Sequence, residues 1–171
     1  DQILEIDMEN LVAVVQPGMI NRDLQNAVEA HGLFYPPDPA SQDYSTLGGN
    51  VSENAGGMRA AKYGITKDYV MALRAVLPDG SIIRAGKRTI KDVAGYHIPG
   101  ILIGSEGTLA VITEITLKLL PKPQRSQTMM GVFDSIDAAM RAVYKTMASG
   151  VTPVAMEFLD QLSIRAVEQK Y

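Results

Sequence analysis

The sequence predicts an α+β fold: a mainly antiparallel sheet flanked by helices, followed towards the C-terminus by the opening of a second α+β unit. Three observations carry this reading. Short runs of aliphatic and β-branched residues recur along the chain and are bounded by turn residues. Two of them, residues 69–77 and 81–85, flank Pro78-Asp79-Gly80, which is the punctuation of a hairpin. After Pro121-Lys122-Pro123 the composition shifts from glycine-rich loops to alanine- and methionine-containing helical periodicity.

The elements follow in chain order. Ile3, Leu4 and Ile6, then residues 11–15, read as two short strands separated by Asp7-Met8-Glu9-Asn10, with nothing before the first to cover its edge. Such an edge is expected to favour pairing between copies. Pro17-Gly18 stops the second strand, and Asn21 is expected to cap a helix carrying Leu24, Ala27 and Val28 on one face and closing at His31-Gly32. His31 is read as a residue of the last turn interacting with the helix dipole, not as a ligand. Residues 36–64 form a long polar loop, and the hairpin follows it. Residues 89–99 are mixed; Ile101-Leu102-Ile103 then enters a second glycine-flanked polar turn, Gly104-Ser105-Glu106-Gly107-Thr108. That turn opens a strand over residues 110–120, in which Val111, Thr113, Ile115, Leu117 and Leu119 alternate with Ile112, Glu114, Thr116 and Lys118. Residues 128–133 and 154–159 are expected as two further strands. A helix capped by Asp134 or Ser135, with Ala138, Ala139, Ala142, Val143 and Met147, follows the first, and a helix from about Asp160 follows the second. A boundary near Pro123-Gln124 divides residues 1–124 from 125–171. Both ends are expected to be cuts in a longer chain, and there is no internal repeat.

The loop over residues 36–64 organises the rest. A loop that long without secondary structure is usually functional or disordered, and Tyr44, Leu47, Val51, Met58 and Tyr63 punctuate it too regularly for a disordered linker. Gly48, Gly49, Gly56 and Gly57 allow the backbone to approach a ligand, while Thr46, Asn50, Ser52 and Asn54 offer uncharged donors and acceptors. The combination suits a large polar cofactor lying along main chain.

Composition excludes several classes. The chain of 171 residues carries a net charge of −3 with its lysines and arginines scattered, which gives no electrostatic footprint for nucleic acid or an anionic membrane. It has no cysteine, hence no disulfide, thiolate metal site or iron–sulfur cluster of its own. No apolar run reaches membrane-spanning length and no signal-peptide pattern opens the sequence, so a cytoplasmic location is expected. His31 and His97 are the only histidines and lie far apart, and there is no Gly-x-Ser-x-Gly elbow, Walker loop or Gly-x-Gly-x-x-Gly turn. Hydrolysis, metal catalysis and the common nucleotide folds therefore lack support; no metal ligand and no catalytic residue is assigned. His97 reads as a half-buried polar residue. Glu106 either accepts a ribose hydroxyl or braces its own loop through the amides. Arg59, Lys62 and Lys67 read as surface charges, with the approach of one of them to a phosphate left open.

Several motifs resemble one family in order and spacing: Tyr35-Pro36-Pro37-Asp38-Pro39 with Ala40-Ser41-Gln42, the run from Thr46 to Gly57, Lys62-Tyr63-Gly64, Leu77-Pro78-Asp79-Gly80, Gly95-Tyr96, and Ile103-Gly104-Ser105-Glu106-Gly107-Thr108-Leu109. The sequence resembles the FAD-linked oxidases of the vanillyl-alcohol oxidase type, within them the flavin-carrying glycolate oxidase and D-lactate dehydrogenase group. His97, where that family often has Asp or Asn, and Ala110, where it often has Gly, depart from the pattern. The resemblance implies the second FAD-binding subdomain and the start of a substrate cap, with FAD as cofactor. It implies that Pro39, Ser41, Thr46, Gly48, Gly49, Asn50, Ser52, Asn54, Ala55, Gly56, Gly57, Tyr63 and Gly64 lie along FAD, joined by Glu106, Gly107 and Ile112 from the second loop. It also implies a small 2-hydroxy acid as substrate, and electrons leaving to a quinone or to iron–sulfur partner subunits through which the protein is peripheral to a membrane. A noncatalytic module that keeps the fold without flavin, and a flavoenzyme for a sugar lactone or an enolpyruvyl nucleotide, are the alternatives.

Overall fold

The computed structural model describes residues 1–170. Its centre is a five-stranded sheet of β1 (Ile3–Asp7), β2 (Val12–Val15), β4 (Val70–Val76), β5 (Ile82–Gly86) and β6 (Val111–Lys118), in the order β1-β2-β6-β4-β5. Every neighbouring pair is antiparallel. A two-stranded ribbon joins β3 (Leu33–Phe34) to β7 (Leu120–Pro121). The expected hairpin forms, with Asp79 Oδ1 accepting from both the N–H and the hydroxyl of Ser81.

One face of the sheet is covered by α1 (Asn21–Glu29) and α2 (Leu47–Glu53). Leu24 and Val28 of α1 and Leu47 and Val51 of α2 meet Ala13, Val15, Leu73, Ala75, Ile115 and Leu117 in a single buried core. Each leucine, isoleucine or valine among them contributes about 1.5–3 kcal/mol by leaving water.

The strand over residues 110–120 does not keep the alternation its sequence suggests. Register with β4 slips between the pairs Arg74↔Glu114 and Ala75↔Ile112, so Thr113 is the extra residue of a bulge, and its hydroxyl donates to the Arg74 carbonyl at 3.1 Å. A bulge reverses the facing of what lies beyond it. Ile112 consequently packs against the core while Val111 turns out to 67% exposure.

The other face is partly covered by the chain leaving β5. Glu5, Val14, Thr116, Ala72 and Gly86 form one cross-strand row, and Arg88, two residues beyond it, reaches back to Glu5 with bonds of 2.7 and 2.9 Å and to Asp7 at 3.5 Å. Four strand spacings come to roughly 19 Å; two further residues of backbone, at most about 7 Å, together with the extended side chains of Arg88 and Glu5 cross that width. Val12, Val14 and Thr116 on this face are buried.

Beyond β7 the expectations hold for helices and fail for strands. Ser135 caps α5 (Ile136–Ala148), its hydroxyl accepting from the Ala138 N–H, and Asp160 caps α6 (Gln161–Glu168) through the Ser163 N–H. Residues 128–133 and 154–159 are not strands. A strand needs a partner ladder, and these runs have none, whereas a helix satisfies its own backbone. Only Ala139 is buried in the two helices.

The remaining short elements are α3 (Ala60–Tyr63), a 3-10 turn (Thr66–Asp68) and α4 (Ile98–Leu102). No helix among the described residues is long and apolar enough to cross a membrane.

Candidate functional site

Residues 35–39 are buried as a run. Pro36, Pro37 and Pro39 have no N–H to enter a ladder, and two of the segment's carbonyls are served by amide side chains of α1. Gln25 Nε2 donates to the carbonyls of Tyr35 at 3.3 Å and Pro37 at 2.9 Å, and Asn21 Nδ2 donates to Pro37 at 3.2 Å. Asn21 is therefore not the cap of α1. Ile20 holds that position without a side-chain bond, and Asn21 is the first helical residue, with its side chain turned inward. Its Oδ1 accepts from Asn50 Nδ2 at 3.1 Å, so one buried amide chain ties α1, the proline run and α2 together.

Residues 36–64 are not one irregular loop. Thr46 caps α2, its Oγ1 accepting from the Gly49 N–H at 3.1 Å, and Leu47 and Val51 anchor the helix in the core. Gly48 lies against Pro17: its N–H donates to the Pro17 carbonyl at 2.8 Å, and a Cβ would stand 2.6 Å from Pro17 Cβ. Asn54 ends α2 in the left-handed conformation, and its Oδ1 accepts the Lys67 N–H at 3.0 Å. Ala55 is buried, its carbonyl taking both the N–H and the hydroxyl of Thr66.

The second polar loop docks onto the end of this helix. Gly104 N–H donates to the Val51 carbonyl at 3.0 Å and Glu106 N–H to the Ser52 carbonyl at 2.9 Å, which serves carbonyls that a helix C-terminus leaves without partners. Between the two loops runs an open cleft of about 370 Å³. Pro17, Gly18, Thr46, Gly48, Gly49 and Ser52 line one side, and Gly107, Ala110, Val111 and Ile112 the other. Thr46, Gly48, Gly49, Ser52, Gly107 and Ile112 are thus brought together on one cleft. Glu106, at φ 52, makes no side-chain bond with the loop amides or any other described group.

Other expected residues lie elsewhere. Asn50 turns away into the amide chain, and Pro39 and Ser41 form a turn in which the Pro39 carbonyl accepts from Gln42 N–H and the Ser41 carbonyl from Tyr44 and Ser45 N–H. Gln42 Oε1 and Ser45 Oγ in that turn are buried without a partner. Tyr63 packs edge-on against Phe34, with ring centroids 5.5 Å apart, and its carbonyl accepts from the Tyr69 hydroxyl at 2.7 Å. Gly64, at φ 85, closes over the Asp68 carboxylate. Asn54 borders a second cavity of about 530 Å³ with Lys67, Asp68, His97, Gly100 and Ile103; His97 there is exposed, not half-buried, with its ring seated against Gly100.

Gly56 and Gly57 are expected from the sequence to allow a close backbone approach to a ligand, whereas the supports of this segment, Asp38 and Arg59, are not assigned as such there and Arg59 reads as a surface charge. Asp38 Oδ1 accepts the Arg59 N–H at 3.1 Å, Oδ2 lies 3.3 Å from Arg59 Nε, and the guanidinium sits over the Phe34 ring at 5.2 Å. The N–H groups of Gly56, Gly57 and Gly107 donate to no protein group among the described residues. Of these Gly107 is on the cleft wall, and a cleft walled by glycine, hydroxyl and aliphatic groups with an unpaired amide fits a long polar cofactor that carries many acceptors.

An antiparallel sheet with one helical layer, and a glycine-walled cleft that carries the unpaired Gly107 amide, define a cofactor-cradling domain. The comparisons say which. Residues 1–86 match the family described as an FAD binding domain and residues 122–171 the C-terminal domain of FAD linked oxidases, and the chain belongs to this FAD-binding family, whose cofactor is FAD. It is 51% identical over 168 residues to glycolate oxidase subunit GlcD of Bacillus subtilis, covering 98% of this chain and 36% of that protein. It is 40% identical over 169 residues to D-lactate dehydrogenase of Anaerostipes hadrus, covering 99% of this chain and 35% of that one. Among solved structures, alkyldihydroxyacetonephosphate synthase superposes with a TM-score of 0.75 at 28% identity, over 91% of this chain and 28% of its own. The chain thus spans about a third of the length of these relatives.

Proposed function

We propose that the chain is the second FAD-binding subdomain, residues 1–124, with the opening of a substrate cap, residues 125–171, of an FAD-dependent dehydrogenase of small 2-hydroxy acids. Glycolate or D-lactate would be oxidised to the corresponding 2-oxo acid. The observation that supports this substrate class is the 51% identity, along nearly the whole chain, to a protein named as a glycolate oxidase subunit. When bound, FAD supplies the two-electron acceptor, taking the substrate's α-hydrogen as hydride at flavin N5, and the chain supplies binding and orientation.

The cleft residues Thr46, Gly48, Gly49, Ser52, Gly107 and Ile112 would face the cofactor directly. The unpaired amides of Gly56, Gly57 and Gly107 would donate to its oxygens. Asn50 and Ala55 would act from behind by holding α2, and Pro39, Ser41, Asn54, Tyr63, Gly64 and Glu106 would complete the path. Catalytic groups for proton removal are assigned to none of these residues. Electrons would leave to a quinone or to iron–sulfur partner subunits, in keeping with the word subunit in the relative's name, with the assembly cytoplasmic and peripheral to a membrane.

The test uses the full-length protein. It is expected to purify yellow and to reduce an artificial dye with glycolate or D-lactate. A colourless preparation that binds no added FAD overturns the cofactor site. A yellow protein inert to both acids overturns the substrate class alone.

A further inference from the structure

Asp38 is a carboxylate only 6% exposed in a segment otherwise made of prolines and Tyr35, and among the described residues its hydrogen-bond and ion-pair partner is Arg59, with Gly57 folded against it. Burying a charge is costly unless it is paired and hydrogen-bonded, so a buried aspartate used in this way marks a geometry that matters. Three contacts converge on it. Oδ1 receives the Arg59 main-chain N–H, Oδ2 faces Arg59 Nε, and the carbonyl oxygen and Oδ1 together occupy the place where any Cβ on residue 57 would fall. Arg59 in turn is fixed by the Phe34 ring beneath it. The chain from Gly57 to Arg59 is therefore clamped at its backbone by one side chain, while the N–H groups of Gly56 and Gly57 meet no acceptor among the described residues.

We propose that Asp38 is a positioning residue for the flavin nucleotide: by clamping Gly57 and Arg59 it holds the Gly56 and Gly57 amides aimed at acceptor oxygens of FAD. The inference rests on the FAD reading of the cleft and adds to it a residue that need not touch the cofactor. Preorganised amides bind better than mobile ones because no ordering cost remains to be met on binding.

The experiment uses the full-length holoenzyme, stripped of FAD and titrated with FAD by flavin fluorescence. Asp38→Asn retains an acceptor for the Arg59 N–H but loses the ion pair, and Asp38→Ala loses both. Gly57→Ala displaces the same turn while leaving every charge in place. FAD dissociation constants are expected to rise about tenfold in Asp38→Asn and further in Asp38→Ala and Gly57→Ala, with the flavin absorption band altered in the reconstituted variants. The melting temperature of each apoprotein reports stability separately. Weakened FAD binding in Asp38→Asn, with an apoprotein that melts like wild type, supports positioning. Wild-type FAD affinity in a folded Asp38→Asn and Gly57→Ala overturns it, as does a loss of affinity no larger than the unfolded fraction of apoprotein accounts for. If wild type itself binds no FAD, the reading of the cleft falls and the proposal with it.

Discussion

At the scale of single residues, the cradle is set by what its glycines cannot accommodate and what its polar side chains are already doing. Gly48 meets Pro17 within a hydrogen-bonded contact, and a Cβ there would stand 2.6 Å from Pro17 Cβ and 3.0 Å from its carbonyl oxygen. Overpacking of this kind typically costs 1–3 kcal/mol; Gly48→Ala is therefore expected to lower stability by about 2 kcal/mol, read from equilibrium urea unfolding. Glu106 presents the opposite case. It sits in the left-handed region at φ 52, where a non-glycine residue is disfavoured by roughly 1–2 kcal/mol, and its carboxylate is bonded to no group among the described residues. Glu106→Gly is expected to leave stability unchanged or raise it by up to about 1 kcal/mol, while weakening FAD if the carboxylate meets a ribose hydroxyl. A variant both destabilised and unimpaired in FAD binding would mean that Glu106 braces its loop after all.

At the scale of elements, α2 joins core to cleft. Its apolar side, Leu47 and Val51, is fixed in the core; its first turn is held by Thr46; its last carbonyls are taken by the Gly104 and Glu106 amides. Removing an N-cap costs about 1 kcal/mol, so Thr46→Ala should lower the unfolding free energy read from urea titration by that amount and weaken FAD binding as well, because Thr46 also lines the cleft. The amide chain behind the helix should be more sensitive. Asn50→Leu strands Asn21 Oδ1 in the interior, for which about 1–3 kcal/mol is the usual penalty.

At the scale of the whole molecule, the sheet's apolar core carries the stability and its surface ion pairs add little. Ile115, fully buried on the central strand, is expected to cost 2–5 kcal/mol when changed to Ala. Arg88→Ala breaks the pairs to Glu5 and Asp7, but these are solvent-exposed, and the loss should stay below about 1 kcal/mol and vanish at high salt. Alkali offers a separate test. Burial pushes the Tyr69 phenol up to about 12 and raises that of Tyr35 as well, against about 10 in an unfolded chain. Between those values the folded state keeps protons that the unfolded state has released. Stability is thus intact below about pH 10 and falls as pH rises towards about 12. Alkaline unfolding followed by tyrosinate absorbance should begin in that window, and a Tyr35→Phe or Tyr69→Phe difference titration that places either phenol near 10 in the folded protein would contradict the burial.

The sequence by itself determined the strands of the main sheet, its hairpin, the starts of the two helices near residues 135 and 160, with the first cap narrowed to Asp134 or Ser135, and the polar turn at residues 104–108, because alternation, turn chemistry and capping are written within a few neighbouring residues. It also carried the motifs of the FAD family. Tertiary structure alone decided the rest. Asn21 reads locally as a cap and becomes an interior donor because the proline run beside it brings carbonyls that need partners. Alternation along β6 fails at Thr113 because register with β4 slips there, and that slip turns Ile112 inward. Residues 128–133 and 154–159 have strand-like composition but no ladder to join. Asp38 looks like any loop aspartate until Gly57 is folded against it. In each case the deciding partner lies well away along the chain or is missing from it, and long-range pairing is what local patterns do not encode.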